Sequence, residues 1–267
     1  MSGVLYIVST PIGNLKDITL RAVEVLKGAD AVIAEDTRRT LKLFNHLGIK
    51  KELISYYDPV EKERTPLIIA RLLKGERLAL VSDAGTPLLS DPGYRLVVAC
   101  IENKIDVVPI PGPSSVLAAL VASGLPPHPF SFWGFLPRGE RRRRLLRLLS
   151  LREETLIFFE SPNRLRATLE DILECMGDRR CCVAREMTKV HEEFLRGKVS
   201  EVIEQLKGRE ILGEICLVVE GTRKSPEEWE KAAAKLINAG FTRKETARIV
   251  SVLFDVPRNT VYKSLNP

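Results

Sequence analysis

No run of apolar residues in this 267-residue chain approaches the ~20 needed to cross a bilayer as a helix. Aromatics are scarce, at 6%, and only three histidines are present. The five cysteines (Cys100, Cys175, Cys181, Cys182 and Cys216) are odd in number and show no C-x-x-C spacing. That argues against a disulfide framework and against a metal site, and it fits a reducing compartment with buried, inert thiols. The start, Met1-Ser2-Gly3-Val4-Leu5, lacks a basic segment and a cleavage signature, so it reads as the approach to a first strand and a cytoplasmic location is expected. Neither a G-x-x-x-x-G-K-[ST] loop nor a G-x-G-x-x-G after the first strand is found, so phosphate cradling is not supported. Internal repeats and low-complexity tracts are missing as well.

What is there is a globular composition, 45% hydrophobic and 28% charged, in a chain long enough for two cores. Apolar runs at 4–9, 31–34, 53–56, 78–81 and 106–110 read as strands. Helical patterns lie between them at 20–27, 38–47, 66–74 (Thr65 as N-cap, Pro66 at the first helical position) and 94–102. Repeated strand–helix units with short loops imply a mainly parallel sheet covered on both faces. The pattern breaks at Pro109-Ile110-Pro111-Gly112-Pro113 before a small-residue helix, 114–123. A second series follows: strands 130–133, 155–160, 181–185 and 214–219, with helices 141–151, 164–175 and 201–206. From about Pro226 only helices are expected. The division is therefore 1–112, 113–225 and a helical extension, 226–267.

Four turns at the carboxyl ends of expected strands are rich in Gly, Pro and small polar residues: Ser9-Thr10-Pro11-Ile12-Gly13-Asn14, Ser82-Asp83-Ala84-Gly85-Thr86-Pro87, Pro111-Gly112-Pro113-Ser114-Ser115 and Glu160-Ser161-Pro162-Asn163. Ligands of open α/β sheets sit at that edge, and small residues let backbone groups reach them. One such turn is ordinary; four on one edge point to a cleft for a ligand held by backbone amides and carbonyls.

Val8 to Leu15, Glu35-Asp36-Thr37-Arg38, Ser82 to Gly93, Phe158-Phe159-Glu160-Ser161-Pro162 and Arg185-Glu186-Met187-Thr188-Lys189, in this order, resemble the RsmI family of small-subunit rRNA (cytidine-2′-O)-methyltransferases, part of the tetrapyrrole methylase superfamily. The resemblance covers nearly the whole chain. It implies two α/β domains with S-adenosyl-L-methionine in the cleft between them, a homodimer, and 16S rRNA or the small ribosomal subunit as partner. By analogy, Pro11, Ile12, Gly13, Asp83, Ala84, Gly85, Thr86, Pro87, Gly112, Ser114, Ser115, Phe159 and Glu160 are the expected donor-binding residues. A ribose hydroxyl is a weak acid, so a base or a stabilising cation should assist its attack. Glu35, Asp36, Glu186 and Glu192 are candidate acceptors and Arg38, Arg185 and Lys189 candidate cations; Asp36, Arg38, Glu186 and Lys189 lead this set. His191 beside them reads as a bystander.

Charge points to the same class of partner. Between Arg138 and Arg152 there are seven arginines and one acid, Glu140, which equals the whole net excess of +6. Arg141, Arg142, Arg143 and Arg144 are therefore expected to meet RNA phosphates, with Leu145, Leu148, Leu149 and Leu151 on the opposite side docking on the sheet. The end of the chain reads as a helix-turn-helix: Thr242 caps 243–253, Asp255-Val256 turns, and Pro257 starts 258–265. Two rivals stay open: a small-molecule tetrapyrrole methylase, which needs neither the arginines nor the tail, and a ligand-sensing DNA-binding regulator.

Overall fold

The computed structural model describes residues 3–222, 226–254 and 256–265. Five strands, β1 (Val4–Val8), β2 (Ala31–Ala34), β3 (Glu52–Ser55), β4 (Arg77–Val81) and β5 (Asp106–Ile110), form a wholly parallel sheet in the order β3-β2-β4-β1-β5. Helices α1 (Leu20–Gly28), α2 (Thr37–Leu47), α3 (Asp58–Leu73) and α4 (Tyr94–Glu102) connect them. Leu5, Ile33, Leu78 and Leu80 pack on one face and Val8, Val32, Ala79 and Val81 on the other, the two-sided burial that continuous apolar strands demand. The chain leaves β1 toward β2 but leaves β4 toward β5, in opposite directions along the sheet. The neighbouring strands β1 and β4 thus mark a topological switch point, the edge at which open α/β sheets bind ligands.

The chain then changes sheets. Helix α5 (Ser115–Ser123), capped by the Ser114 hydroxyl, packs against the second sheet, which is built from β6 (Phe130–Phe135), β7 (Thr155–Glu160), β8 (Arg180–Arg185), β9 (Glu193–Lys198) and β10 (Ile215–Val219) in the order β6-β7-β10-β8-β9. Only β6 and β7 are parallel; the other pairings are antiparallel. The mainly parallel sheet expected from the first strand–helix series is thus the first sheet, while the second series forms a mixed one. Strand β9 had no counterpart in the sequence reading: Glu-Phe-Leu-Arg-Gly-Lys carries three charges and a glycine, as an edge strand can. Helices α6 (Glu140–Leu149), α7 (Pro162–Met176) and α8 (Val199–Gln205) cover this sheet.

Two further corrections concern helices. Helix α3 starts at Asp58, with Pro59 in its first turn, so Pro66 is internal and Thr65 is no cap. Instead the Thr65 hydroxyl donates to the Glu61 carbonyl at 2.7 Å, inside the helix. On α6 the buried side is Arg142, Leu146 and Leu149, whereas Leu148 and, just past the helix end, Leu151 face solvent at 65% and 79% exposure. Of the four leucines expected to dock, Leu149 is buried and Leu145 packs against the core, so the expectation holds for these two and fails for Leu148 and Leu151.

After β10 the chain enters α9 (Pro226–Asn238), α10 (Arg243–Phe254) and α11 (Arg258–Ser264), with a small core of their own: Trp229, Ala233, Ala247, Val250 and Val261. Thr242 and Glu245 form a reciprocal cap at the start of α10. The expected turn at Asp255 lies outside the described residues.

Candidate active site

The loops after β1, β4 and β5 are tied edge to edge. Thr10 N–H donates to the Gly85 carbonyl at 2.8 Å, and Gly85 N–H returns to the Thr10 carbonyl at 3.0 Å. The Ser9 hydroxyl donates to Thr86 Oγ1 (3.3 Å), and Thr86 Oγ1 donates to the Pro113 carbonyl (3.1 Å). Opposite this rim stand the carboxyl end of β7, the turn after β8 and the entry to β10. Between the two sides lies a cavity of about 350 Å³, within the ~300–1,000 Å³ range usual for small-molecule sites.

Of the donor-binding residues expected from sequence, Ile12, Ala84, Thr86, Ser114, Ser115, Phe159 and Glu160 line this cavity. The others form its supports. Gly85 adopts φ +81° and its backbone groups are spent on Thr10; a Cβ there would meet Ile12 Cγ2 at 3.2 Å. A Cβ on Gly112 would meet Ser9 Cβ at 2.9 Å. Gly13 abuts the second sheet's loop, where a Cβ would lie 2.5 Å from Lys189 Cγ and 2.9 Å from the Met187 carbonyl, and the neighbouring Asn14 N–H donates to Thr188 Oγ1 at 3.0 Å. Pro11 and Pro87 are buried behind the rim, and Asp83 accepts from the Asp36 N–H at 3.0 Å.

Glu160 is buried and already satisfied. Its Oε1 accepts from the Ser161 N–H (2.8 Å) and lies 3.2 Å from Arg164 Nε, while Oε2 accepts from the Thr168 hydroxyl at 2.6 Å. It is built to fix a wall. Phe159 packs on Phe132 and Phe135, whose rings sit 4.8 and 5.5 Å away. Cys216 also lines the cavity, but burial pushes its thiol up to about 12, so it lacks thiolate character.

The leading catalytic candidates pair among themselves. Arg38 holds both Asp36 oxygens at 3.0 and 2.8 Å, keeping that carboxyl down at about 2. Lys189 Nζ donates to Glu186 at 2.8 Å and to Glu214 at 3.1 Å. Burial alone would lower the Lys189 ammonium, but these two carboxylates outweigh it and raise it. None of Asp36, Arg38, Glu186 and Lys189 is among the residues lining the cavity. Two acids behave differently. Asp91 lines the cavity, and burial together with the field of Asp83 raises it to about 6, against a hydrogen bond with Ser82. Glu35 is raised to about 7 by burial and then by Asp91, Asp83 and Asp58, with Arg39 pulling the other way. Asp91, Glu214, Met187 and Cys216 were absent from the cofactor reading because it followed strand ends that carry Gly and Pro.

The Arg138–Arg152 region divides. Arg138, Arg141 and Arg144 are exposed and make no ion pair among the described residues. Arg142 corrects the expectation of phosphate contact: it is buried, donating from Nε to Asp171 at 2.6 Å and from Nη1 to Thr168 Oγ1 at 2.8 Å. Arg143 is half-buried on the other Asp171 oxygen at 2.8 Å. Among the described residues there is no cluster suited to a metal ion and no helix long and apolar enough to cross a membrane.

The tetrapyrrole (corrin/porphyrin) methylase family model matches residues 4–203. A ribosomal RNA small subunit methyltransferase I of Halalkalibacterium halodurans is 46% identical over 97% of this chain and 93% of its own length. The protein of the same name from Thermotoga maritima is 52% identical, and 82% of this chain already spans 99% of it. Uroporphyrin-III C-methyl transferase from Thermus thermophilus, solved in complex with S-adenyl homocysteine, shares the fold with a TM-score of 0.59 at 20% identity, over 81% of this chain and 97% of its own. Two α/β domains with a cavity between them, a helical extension and these matches lead to one conclusion: the chain belongs to the tetrapyrrole methylase family and, within it, to the ribosomal RNA small subunit methyltransferase I group.

Proposed function

We propose that this chain transfers a methyl group from S-adenosylmethionine to the ribose 2′-hydroxyl of a cytidine in small-subunit (16S) rRNA, acting as a cytoplasmic homodimer. The observation that carries the reading is 46% identity over almost the full chain to a relative bearing that name, against 20% to the uroporphyrin enzyme. The working division is 1–112 and 113–225 for the two domains and 226–267 for the extension.

The cavity suits the donor's chemistry. Backbone at Ala84 and Thr86 and the hydroxyls of Ser114 and Ser115 offer polar contacts to a nucleoside. Ile12, Val116, Phe159 and Ile215 offer apolar surface, and Asp91 and Glu214 supply negative potential for a cation. When bound, S-adenosylmethionine supplies a methyl carbon on a positively charged sulfur, activated for in-line displacement. The residues here position the acceptor, exclude water and take up a proton. We assign the last task to Asp91, whose raised carboxyl faces the cavity, with Glu35 behind it as a second acceptor. Arg138, Arg141 and Arg144 hold RNA phosphates on the outer face of the second domain.

The test is methyl transfer with tritiated donor to small ribosomal subunits lacking the modification, to naked 16S rRNA, to a porphyrinoid and to DNA. Label is expected in the rRNA alone, released as 2′-O-methylcytidine on digestion. Label on the porphyrinoid, or none on either RNA substrate, would overturn the reading.

A further inference from the structure

Helix α11 is more polar outward than its packing requires. Of its seven residues only Val261 is buried; Arg258, Asn259, Tyr262 and Lys263 all face solvent. Their spacing, i, i+1, i+4 and i+5, places them on one stripe of the helix. The stripe is basic, hydrogen-bonding and aromatic together, and neither Arg258 nor Lys263 has an ion-pair partner among the described residues. From Gly240 to Leu265 the chain carries five basic residues and two acidic ones. The helices α9, α10 and α11 keep their own core, so this surface does not serve to complete the second domain. The Thermotoga maritima relative is spanned almost entirely by 82% of this chain, which leaves a stretch of about the tail's size without a counterpart in it. A module with a core of its own and a basic free face has the attributes of a substrate grip.

We infer that the α11 stripe binds a stretch of small-subunit rRNA with unpaired bases beside the modified nucleotide, an inference that rests on the rRNA reading above. The A-form major groove is too deep and narrow to admit a helix, so the stripe cannot read an RNA duplex as a helix-turn-helix reads DNA. Its chemistry fits single strands instead: Arg258 and Lys263 neutralise phosphates, Tyr262 offers its ring for a base to stack on, and Asn259 hydrogen-bonds a base edge.

The experiment uses the full chain, with naked 16S rRNA, small subunits and a DNA duplex of matched length as probes. Arg258→Gln with Lys263→Gln should raise the half-saturating rRNA concentration at least fivefold and lower the slope of log affinity against log salt by about 1.4, two single-strand contacts at roughly 0.7 each. Turnover at saturating rRNA and donor affinity should stay within twofold. Tyr262→Ala should weaken rRNA binding several-fold while Tyr262→Phe preserves it, since stacking needs the ring and not the hydroxyl. Wild-type rRNA affinity and salt slope in the Gln variant would overturn the inference, as would tighter wild-type binding to the DNA duplex, or full effects on small subunits but none on naked rRNA, which would point to a ribosomal protein. If the wild-type chain methylates no rRNA, the functional reading itself has failed; if it does and these variants match it, only the tail inference has.

Discussion

At the scale of single residues, the two raised carboxyls decide how the chemistry depends on pH. Glu35 lies in the field of Asp91 and is raised further, so the Asp91 limb should come first and the Glu35 limb near pH 7. A proton acceptor works ionised, so kcat/KM should climb between about pH 5 and pH 7.5 and then level off. Asp91→Asn should lower kcat by roughly 100-fold or more. Glu35→Gln should keep most of the rate and lose the part of the rise near pH 7. An unchanged pH–rate profile in Asp91→Asn would remove it from the chemistry. Stability gives an independent check on Glu35. Its folded value is above the ordinary 4.5, so its favourable contribution is complete at low pH and is lost as pH rises through about 7. The wild-type melting temperature should therefore decline between pH 5 and 8 more than that of Glu35→Gln, followed by calorimetry in both. Part of this site was legible in advance: Ile12, Ala84, Thr86, Ser114 and Ser115 lie on turns whose Gly and Pro content announced them. Asp91 was not. It lies on a loop held open by left-handed backbone at Leu88 (φ +72°) and Ser90 (φ +71°), residues whose types give no sign of it.

At the scale of elements, what the sequence hid was direction and facing. Because β10 runs antiparallel to β7, its amino end, not its carboxyl end, reaches the cleft, and Ile215 stands beside Glu160. A rule that searches carboxyl ends of strands therefore overlooks Gly213, Glu214 and Cys216, while it finds the all-parallel first sheet's loops correctly. Helix α6 shows the same limit. Four consecutive arginines occupy all sides of a helix, and composition alone does not say that Arg142 turns inward to Asp171, whose side chain is 6% exposed. The helix thus has two functions that mutation should separate. Arg142→Gln removes one partner of a buried ion pair and should cost about 3 kcal/mol, lowering the melting temperature by roughly 6–12 °C; the cost is at the low end because Arg143 still holds the other oxygen. Arg141→Gln with Arg144→Gln should leave melting unchanged and reduce the salt dependence of RNA binding. A stable Arg142→Gln protein, or an unchanged salt slope in the exposed pair, would refute the division.

At the scale of the whole molecule, the question is which parts must be joined for the cavity to exist. Its walls come from both α/β domains, and the Gly13–Asn14 turn rests directly on Thr188 and Lys189 across the boundary. The domains are therefore interdependent for donor binding, while no described residue of the helical extension lines the cavity. The last residues before the extension are well anchored without it: Gly221 lies against the Glu153 backbone, so close that a Cβ would come within 2.1 Å of its carbonyl oxygen, and Thr222 N–H donates to the Arg152 carbonyl at 2.6 Å. A chain ending at Thr222 keeps both contacts and the complete core of the second sheet. It should fold, melt within a few degrees of the full chain and bind the donor with unchanged affinity. Methylation should persist at saturating rRNA with a raised half-saturation concentration, because grip is lost and chemistry is not. If the extension instead props up the second domain, the same truncation should aggregate or melt far lower, and donor affinity should fall with it. Melting, donor calorimetry and rRNA saturation curves on the truncated chain separate these outcomes. A stable truncated protein with an unchanged half-saturation concentration would deprive the extension of its role in substrate binding.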